Sequence, residues 1–431
     1  MQGKGGGVLL VAVMFTVISA VTVAGFIRLA HHELRLSNLQ FYTNESLNLA
    51  EGGLDEALYA LNHTWWTGWD VDGETARMAV RDIGIGRAAV GRFHVQVDER
   101  DSMAPIVTAF GETIAGSGLT TAKQVRISLR KRSYFANTIT ARYYIDFSGN
   151  NARVLSYRSS EGPAGQAPER DSGIVASVWV GADAVDLNNA DVWGYVFTGG
   201  EEPNVGPHGT ILGEDSPAGV KIDPERVARD YTSEFPVALD PPPTDVYLPP
   251  ITETLVLPRP EEAHITDRPV VYSVDRVNLQ GRTLSIDGNV ILVAADNIDI
   301  SGGGIMEVKE NSSFRLYAYQ RIRITGQGGM QNETRIPSNM VIFGMNTLHQ
   351  DFDLGGNAAW EAGIYAPNAD IALNGGGNSG RMAGGVVGKN VVLNGGSIFY
   401  GDEDLAGFTE GFGFAMDEWT DLPRQEWIDF N

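Results

Sequence analysis

The sequence contains no cysteine, and this absence removes several kinds of site at once. Without a thiol there is no disulfide framework, thiolate zinc site, iron–sulfur cluster or cysteine nucleophile. Positive charge is also scarce, with 32 Lys and Arg against 54 Asp and Glu and a net charge of −22. Because phosphate backbones and anionic lipid surfaces bind clustered cations, we expect no nucleic-acid partner and no docking of the folded body on lipid headgroups.

The motifs of common active sites are missing as well. The chain has no GxSxG elbow, no HExxH pair and no glycine-rich loop ending in lysine to hold a phosphate. The acidic excess is typical of a soluble, exposed domain, and we favour this interpretation over calcium binding. We therefore expect no catalytic residue, no cofactor and no metal.

Charged residues are absent between Lys4 and Arg28, which leaves one long apolar run. The 23 residues from Gly5 to Ile27 would span about 34 Å as a helix, enough to cross the hydrocarbon core of a bilayer. The alternative is a cleavable secretory signal, with Thr22 and Ala24 as the small residues before the cut.

The next segment favours the membrane helix over the cleaved signal. From His31 to Leu61 there is no proline, and Gly52 and Gly53 would weaken a helix only locally. Apolar residues recur at steps of three and four, the stripe of an amphipathic helix: Leu47, Ala50, Leu54, Ala57, Leu58 and Leu61. We predict a single long α-helix that leaves the membrane.

These residues resemble the N-terminal region of PilX-type minor pilins of type IV pilus systems. The shared features are a short leader ending in glycine, the segment VLLVAVMF and, about 40 residues later, the segment Leu49 to Leu54 (LAEGGL). The resemblance implies a pilin-like helix with a small sheet and other pilins or pilus-assembly proteins as partners. Most pilins have Glu at the fifth position after cleavage; cleavage after Gly5, Gly6 or Gly7 places Leu10, Val11 or Ala12 there.

The middle of the chain is rich in predicted strands. Phe93 to Val97 and Gln124 to Leu129 alternate apolar and polar residues, and we predict a small antiparallel sheet packed on the long helix. A second strand-rich region runs from about Ile139 to Gly213. Three tryptophans after the helix are expected to pack between helix and sheet: Trp65, Trp66 and Trp69.

Two further features precede the C-terminal half. Asp223 to Phe235 predicts a short helix, with Asp223 as the N-cap and Pro224 in the first turn. Eight prolines then crowd an acidic stretch, which we interpret as an extended connector because proline removes backbone donors: Pro236, Pro241, Pro242, Pro243, Pro249, Pro250, Pro258 and Pro260.

A five-residue pattern, apolar-x-apolar-x-Gly, recurs in the C-terminal half. A degenerate copy ends at Gly355, and VDLNN at Val185 to Asn189 is a further candidate; from one turn glycine to the next the spacings are 21, 24, 29, 20 and 20. Turns in an antiparallel sandwich would be closer, at about 8–12 residues. The clear copies are Val277–Gly281, Ile298–Gly302, Ile322–Gly326, Ile371–Gly375 and Val391–Gly395.

Short strands with inward apolar side chains, closed by a glycine turn, are typical of solenoid rungs. We therefore predict a right-handed parallel β-helix with one inward column of side chains: Leu279, Ile300, Ile324, Leu373 and Leu393. Ile364 to Ala369, the segment GGVVGKNVVLNGG and Trp419 resemble a poorly characterised β-helical domain that often follows the PilX-type N-terminus in bacterial envelope proteins. Ala152 to Ser160 and LNNADVWGYV resemble the start of that domain. This resemblance implies association with the pilus machinery, and no chemistry.

Some parallel β-helices cleave glycans with paired carboxylates, so the rungs need a search for such a pair. The best cluster is Asp351 and Asp353, which would share one face of a strand, with His349 nearby. It occurs in the longest interval between turns, and we interpret it as a solvated loop. The histidines elsewhere are interpreted as a turn residue or as residues at the membrane exit: His208, and His31 with His32.

The sequence thus predicts a mainly β protein with a long N-terminal α-helix. Its parts are the leader and transmembrane helix (1–30), a pilin-like helix and small sheet (31–135), the first part of a β-rich domain (136–235), a Pro-rich connector (236–270), and a β-solenoid with a C-terminal cap (271–431). The predicted function is a non-catalytic, minor-pilin-like structural or adhesive component of a type IV pilus or related envelope assembly.

The predicted location is the cytoplasmic membrane, with the body outside the cytoplasm and the pilus or cell surface as its place of action. Other pilins and the membrane are the expected partners, and a surface ligand or glycan is a candidate. Two alternatives stay open: a membrane-tethered β-helical enzyme acting on envelope polysaccharide, and a secreted β-helical adhesin.

Overall fold

The chain folds into two compact units, Met1–Arg132 with Phe412–Asn431 (unit 1) and Ser133–Gly411 (unit 2). The computed structural model describes residues 5–63, 65–86, 89–102, 104–131, 133–235, 241–262, 268–355, 360–374, 381–396, 398–408, 413–428 and 430. Unit 1 combines one long helix with an antiparallel sheet, and unit 2 is built from parallel strands. The prediction of a mainly β protein with a long N-terminal helix is confirmed.

The helix α1 (Gly5–His63) is continuous over 59 residues and has two different halves. Side chains from Leu10 to Ile27 are exposed, and this half is long and apolar enough to cross a membrane. The second half carries the predicted apolar stripe, of which Ala50, Leu54, Ala57 and Leu61 are buried. Each half therefore follows the local pattern of its sequence.

The buried stripe of α1 packs on the sheet of unit 1. The first strands of this sheet pair antiparallel in chain order, β1 with β2, β2 with β3, β3 with β4 and β4 with β5. Alternate residues of the inner strands, such as Val95, Val107 and Ile127, fill the core with α1. The bounds are β1 (Asp70–Asp72), β2 (Thr75–Ile85), β3 (Ala89–Asp98), β4 (Ile106–Ala115) and β5 (Thr120–Lys131).

Small residues allow α1 to lie very close to this sheet. A Cβ atom on Gly111 of β4 would lie 2.1 Å from the carbonyl oxygen of Ser46, and one on Gly53 would lie 3.1 Å from the Phe93 ring. The buried Ser46 hydroxyl lies 2.9 Å from the hydroxyl of Thr121 on β5. Gly53 lowers helix propensity, and a larger residue there would require the Phe93 ring to shift by a few tenths of an ångström.

The tryptophans after α1 follow the prediction in part. Trp66 and Trp69 pack against the core of unit 1, with their ring centroids 5.3 Å apart. Trp65 is instead 58% exposed. Two of the three predicted contacts are thus present.

The described residues of unit 2 form 24 strands, numbered on from β5. They are β6 (Ile139–Ala141), β7 (Ile145–Phe147), β8 (Asn150–Tyr157), β9 (Gly173–Ser177), β10 (Val185–Phe197), β11 (Asn204–Val205), β12 (Thr210–Leu212), β13 (Val227–Ala228), β14 (Val246–Leu248), β15 (Leu255–Leu257), β16 (Val270–Val274), β17 (Val277–Gln280), β18 (Thr283–Ile286), β19 (Asn289–Ala294), β20 (Ile298–Ser301), β21 (Ile305–Val308), β22 (Ser313–Ala318), β23 (Ile322–Ile324), β24 (Gly329–Asn332), β25 (Met340–Gly344), β26 (Gln350–Leu354), β27 (Trp360–Asn374), β28 (Arg381–Asn394) and β29 (Ile398–Asp402).

These strands form parallel ladders in which each circuit of the chain adds a strand to each ladder. One ladder is β14-β16-β19-β22-β25-β27, a second is β17-β20-β23-β26-β27 and a third is β15-β18-β21-β24. The long strands β10, β27 and β28 shift register and pair with strands of more than one ladder, and the large sheet closes on itself. The parallel pairing rules out the antiparallel sandwich.

The predicted inward column is present in the second ladder. Leu279 is in register with Ile300, Ile300 with Ile324, and Leu373 with Leu393, all buried. Leu354 fills the place between Ile324 and Leu373. The turn glycines that follow have positive φ, as the pattern predicts: Gly281, Gly302, Gly326 and Gly395.

The stack of strands is not built in chain order. β28 pairs with β27 on one side and with β6 and β7 on the other, and β29 pairs with β8. β10 continues the stack, pairing with β7, β8 and β9 and then with β11, β12 and β13. Unit 2 therefore begins and ends at neighbouring positions in the stack, where the Ser133 hydroxyl donates to Leu405 O at 3.0 Å.

The predicted short helix and the Pro-rich connector need correction. Asp223 does cap a helix, accepting from Glu225 N, but this is a single 3₁₀ turn, Pro224–Arg226, because β13 then pairs with β10. The segment 236–270 is more than a connector, since it contains β14 and β15. Among the described residues, β14 and β15 each pair with a neighbouring strand on one side only. The prolines beside them therefore remove no backbone N–H that a ladder hydrogen bond needs. In the part of the chain that the structure describes, the other 3₁₀ helices are Ser159–Glu161, Pro260–Glu262, Pro337–Asn339, Glu403–Gly407 and Arg424–Glu426.

The predicted C-terminal cap of the solenoid also needs correction. The last strand, β30 (Phe414–Asp421), pairs antiparallel with β5 and becomes the edge strand of unit 1. Trp419 of this strand is in register with Ile127. The chain of unit 2 is therefore an insertion between two neighbouring strands of the unit 1 sheet.

Candidate functional site

The outward face of β26, β27 and β28 carries most of the polar residues that the sequence singled out. Alternation along β26 buries Phe352 and Leu354 and turns Asp351 and Asp353 outward. Asp351 and Asp353 thus share one face of a strand, as predicted. The prediction that they lie in a loop was wrong, because Phe352 pairs in register between Ile322 and Ile371.

Parallel register places three further polar residues beside Asp351. Asp351 is opposite Asp370 of β27, and Asp370 is opposite Asn390 of β28. The Asn390 side chain donates to Asp370 Oδ1 at 2.6 Å. The backbone N–H of Tyr144, which precedes β7, donates to Asn390 Oδ1 at 3.4 Å. The sequence analysis missed Asp370, Asn390 and Tyr144 as site residues.

His349 lies against both carboxylates of this row. Its Nε2 is 3.3 Å from Asp351 Oδ1 and its Nδ1 is 3.9 Å from Asp370 Oδ2. Ligand atoms of the three residues lie within 4.8 Å of one another, which is the donor set of a divalent metal site. His349 and Asp351 are exposed and Asp370 is half-buried, so water reaches every ligand atom of this cluster.

A second polar row runs beside the first. Asp353 accepts a hydrogen bond from the Asn374 side chain at 2.6 Å, and Asn374 accepts one from Asn394 at 2.6 Å. The Ser148 hydroxyl donates to Asn394 and extends the row to β7. The carboxylate of Asp353 is therefore held by an amide ladder.

A shallow groove of about 200 Å³ opens between these side chains. Its floor is formed by the small outward residues Ala372 and Val392. Tyr144 lines one part of the groove, and the carboxylates of the first row line another. The groove is open to solvent and crosses several strands of the stack.

Among the described residues of unit 2, burial raises the pKa of three carboxyl groups: Asp146, Glu361 and Asp402. Glu361 of β27 is 3% exposed and 2.9 Å from Arg335, and burial raises its pKa. Asp402 of β29 is buried as well, and burial raises its pKa while backbone N–H groups of Ser159 and Asp404 donate to it. The Glu361 and Asp402 side chains are enclosed by protein, whereas Asp146 is half-buried and in register with Asp186.

The histidines outside this face are separate from it. His208 lies in an exposed turn, as predicted, and His31 and His32 lie on the exposed half of α1. His264 lies outside the described residues. The row with His349 is a polar cluster that a ligand can reach, and the row of Asp146, Asp186 and Asn188 is a second one.

Comparison with known families assigns part of unit 2. Residues 256–408 match a family described as a domain of unknown function, DUF7305. The match starts in β15 and ends after β29, and so covers β26, β27 and β28 of the groove but not Tyr144. It covers 153 of the 431 residues, about a third of the chain. No curated protein matches the sequence.

Comparison with solved structures gives a distant likeness. The chain is similar to the competence-associated pilin ComZ from Thermus thermophilus, with 10% sequence identity and a TM-score of 0.25. The alignment covers 88% of this chain and 98% of ComZ. A TM-score this low does not establish a shared fold. The class that the structure itself defines is a mainly β protein with one long, half-exposed N-terminal helix.

Proposed function

We propose that this chain is a minor-pilin-like component of a type IV pilus or a related cell-envelope assembly, anchored in the cytoplasmic membrane by α1. The division of α1 into two halves carries this proposal. Residues from Leu10 to Ile27 leave their apolar side chains exposed, while the half from Ala50 to Leu61 packs on a sheet. The exposed half needs an apolar environment, which a bilayer core supplies before assembly and neighbouring helices supply within a filament.

Unit 2 is, on this proposal, the part displayed outside the cytoplasm. We infer that it is a right-handed parallel β-helix of the kind that follows PilX-type N-termini. Its parallel ladders and inward columns support this inference, and crossovers between parallel strands are right-handed in about 98% of cases. A stack of this kind is rigid and presents its lateral faces to ligands, as an adhesive or structural component requires.

The proposed role is non-catalytic. A general acid needs a raised pKa, and in practice a carboxyl group reaches this by burial. The accessible carboxylates Asp351 and Asp353 face solvent, whereas Glu361 and Asp402, whose pKa burial raises, are enclosed. Burial also raises the pKa of the half-buried Asp146, whose carboxylate accepts a hydrogen bond from the Asn188 side chain. Turnover of an envelope polysaccharide by the purified chain, abolished by the double change Asp351→Asn and Asp353→Asn, would contradict this role and favour the enzyme.

Cell fractionation tests the anchor directly. We expect the protein in the membrane and in sheared pili, and protease added to spheroplasts should remove its body. Val17→Asp places a charge in the apolar half at a cost of about 2.5–3.5 kcal/mol for insertion, and should release the protein from both fractions. Ser37→Asp, on the exposed helix beyond that half, is the matched control and should change neither.

Two outcomes would refute the anchor. Equal behaviour of the two variants would show that the apolar half is not embedded. A mature N-terminus directly after Ala24, with the protein free of the membrane, would show a cleaved signal and favour the secreted adhesin.

A further inference from the structure

Exposed aromatic side chains of unit 2 are concentrated beside the groove. Tyr143, Tyr144 and Trp179 are 36%, 45% and 42% exposed, and among the described residues of unit 2 the one other exposed aromatic is Tyr247. The rings of Tyr143 and Trp179 are 5.2 Å apart. Three neighbouring exposed aromatic rings form a surface patch, which on a soluble body usually marks a binding site.

The backbone fixes this patch in the stack. Tyr143 N donates to Lys389 O, and Val178 N donates to Ala141 O, so Tyr143 and Trp179 follow the corners of successive rungs. A Cβ atom on Gly181 would lie 2.5 Å from Trp179 Nε1, so a glycine lets the indole lie against the chain. The rings are therefore positioned before any ligand arrives, which lowers the entropic cost of binding.

The patch continues into the groove through Tyr144. From Asp351 to Asp370, Asn390 and Tyr144, each step moves one rung along the stack, about 4.8 Å per step. Trp179 packs on Tyr143, the residue before Tyr144. Polar groups along this line are carboxylate, carboxylate, amide and phenol. The line thus combines flat apolar rings with regularly spaced hydrogen-bonding groups.

We infer that this line, the aromatic groove, binds a neutral polysaccharide that runs along the stack across the strands. Tyr144 and Trp179 offer flat rings to the C–H faces of sugar rings, and the carboxylates accept charge-assisted hydrogen bonds from sugar hydroxyls. Carboxylates line the groove, and the Lys389 ammonium lies beside it, 6.0 Å from the centre of the Tyr143 ring. The carboxylates Asp351, Asp353 and Asp370 outnumber this single cation, so an anionic polysaccharide would be repelled. This inference rests on the proposed display of unit 2 at the cell surface.

A basic peptide is the other polymer that acidic and aromatic groups attract, and the geometry favours the glycan. The backbone groups of β26, β27 and β28 are used in ladders on both sides, so the face offers no free edge to an extended peptide. The polar side chains of the groove are spaced one rung apart, so hydroxyl groups on successive units of a polymer running along the stack can each meet one of them.

Binding by the full chain in detergent micelles tests the inference. Isothermal titration with cellohexaose and chitohexaose should show saturable binding to at least one of them, and polygalacturonate oligomers should not bind. Trp179→Ala and Tyr144→Ala should each weaken binding at least tenfold. Tyr247→Ala removes an 80% exposed ring at the far end of the stack and is the matched control, which should bind as the native chain does.

Each contrary result overturns the aromatic groove. The aromatic groove is excluded as a glycan site if neither neutral oligosaccharide binds, or if the anionic one binds more tightly. It is also excluded if all variants unfold at the native temperature and bind equally. Binding of hexalysine that is lost in the same two variants would assign the groove to a basic peptide instead. Because pilus fractionation is measured separately, a chain that remains in sheared pili but binds no glycan refutes the groove and leaves the proposed function standing.

Discussion

Replacing Leu279 by Asp tests the inward column of unit 2. Leu279 is fully buried and in register with Ile300 of the next strand. The following residue, Gln280, points outward and is exposed. The same carboxylate can therefore be placed inside the stack or outside it by moving one position, so Gln280→Asp is the matched control.

The magnitude follows from burial. Truncating a buried Leu to Ala alone costs about 2–5 kcal/mol through lost contacts and the cavity that remains. An Asp side chain adds the burial of a carboxyl group without a partner, which costs several kcal/mol more or raises its pKa until it stays protonated. Gln280→Asp should change the free energy of unfolding by less than about 0.5 kcal/mol.

Unfolding followed by far-ultraviolet circular dichroism measures both variants. With about 2 °C per kcal/mol for a domain of this size, Leu279→Asp should lower the Tm of unit 2 on the order of 10 °C. Its deficit should grow as pH rises above the ordinary pKa of Asp, because the carboxyl group then ionises in the unfolded chain while the folded chain keeps it protonated. Equal shifts in the two variants, or a larger loss from Gln280→Asp, would show that the column does not point inward.

Two further variants test local features of the stack. Gly304→Ala should destabilise unit 2 by about 1–3 kcal/mol, because its Cβ would lie 1.8 Å from Leu279 O. Gly407 has open space around it, so Gly407→Ala is the control and should be neutral in the same denaturant titration. Equal unfolding midpoints for the two variants would contradict the close contact at Gly304. Arg268 hydrogen bonds to Asp245 and lowers the pKa of that carboxyl to about 2. The resulting stabilisation is present above pH 3.8, the ordinary value, and is lost as pH falls towards 2. Asp245→Asn should therefore cost less than about 1 kcal/mol of unfolding free energy at pH 7, because the pair is screened by solvent. The variant should also lose less stability than the native chain between about pH 4 and pH 2. Parallel plots of unfolding free energy against pH for the two proteins would refute the pairing.

Local periodicity determined the elements that the sequence predicted correctly. The steps of three and four from Leu47 to Leu61 reflect the turn of a helix, and this stripe is what packs on the unit 1 sheet. The alternation in Val277 to Gln280 reflects the period of a strand, so the inward position of Leu279 follows from its neighbours alone. Glycine at positive φ after each copy is also a local requirement.

The incorrect predictions concern segments whose local preference competed with pairing to a strand that is distant in the sequence. Asp223 and Pro224 are good signals for the start of a helix, but β13 gains more by pairing with β10 than by extending that turn. The prolines from Pro249 onward indicate a connector, yet an edge strand tolerates them because one of its sides needs no donor. The helix and proline signals indicate the local preference of the chain, but in both segments strand pairing decides the structure.

What the sequence alone determined is therefore the type of most elements: the apolar first half of α1, its packed second half, and the rungs with their inward columns. Only the tertiary structure decided which strands are neighbours, that β28 meets β6 and β7, and that β30 returns to β5. The groove depends on the same choice, because Asp351, Asn390 and Tyr144 come together only through register. Side-chain alternation is set by each residue's own backbone, whereas the choice of a pairing partner depends on segments hundreds of residues away.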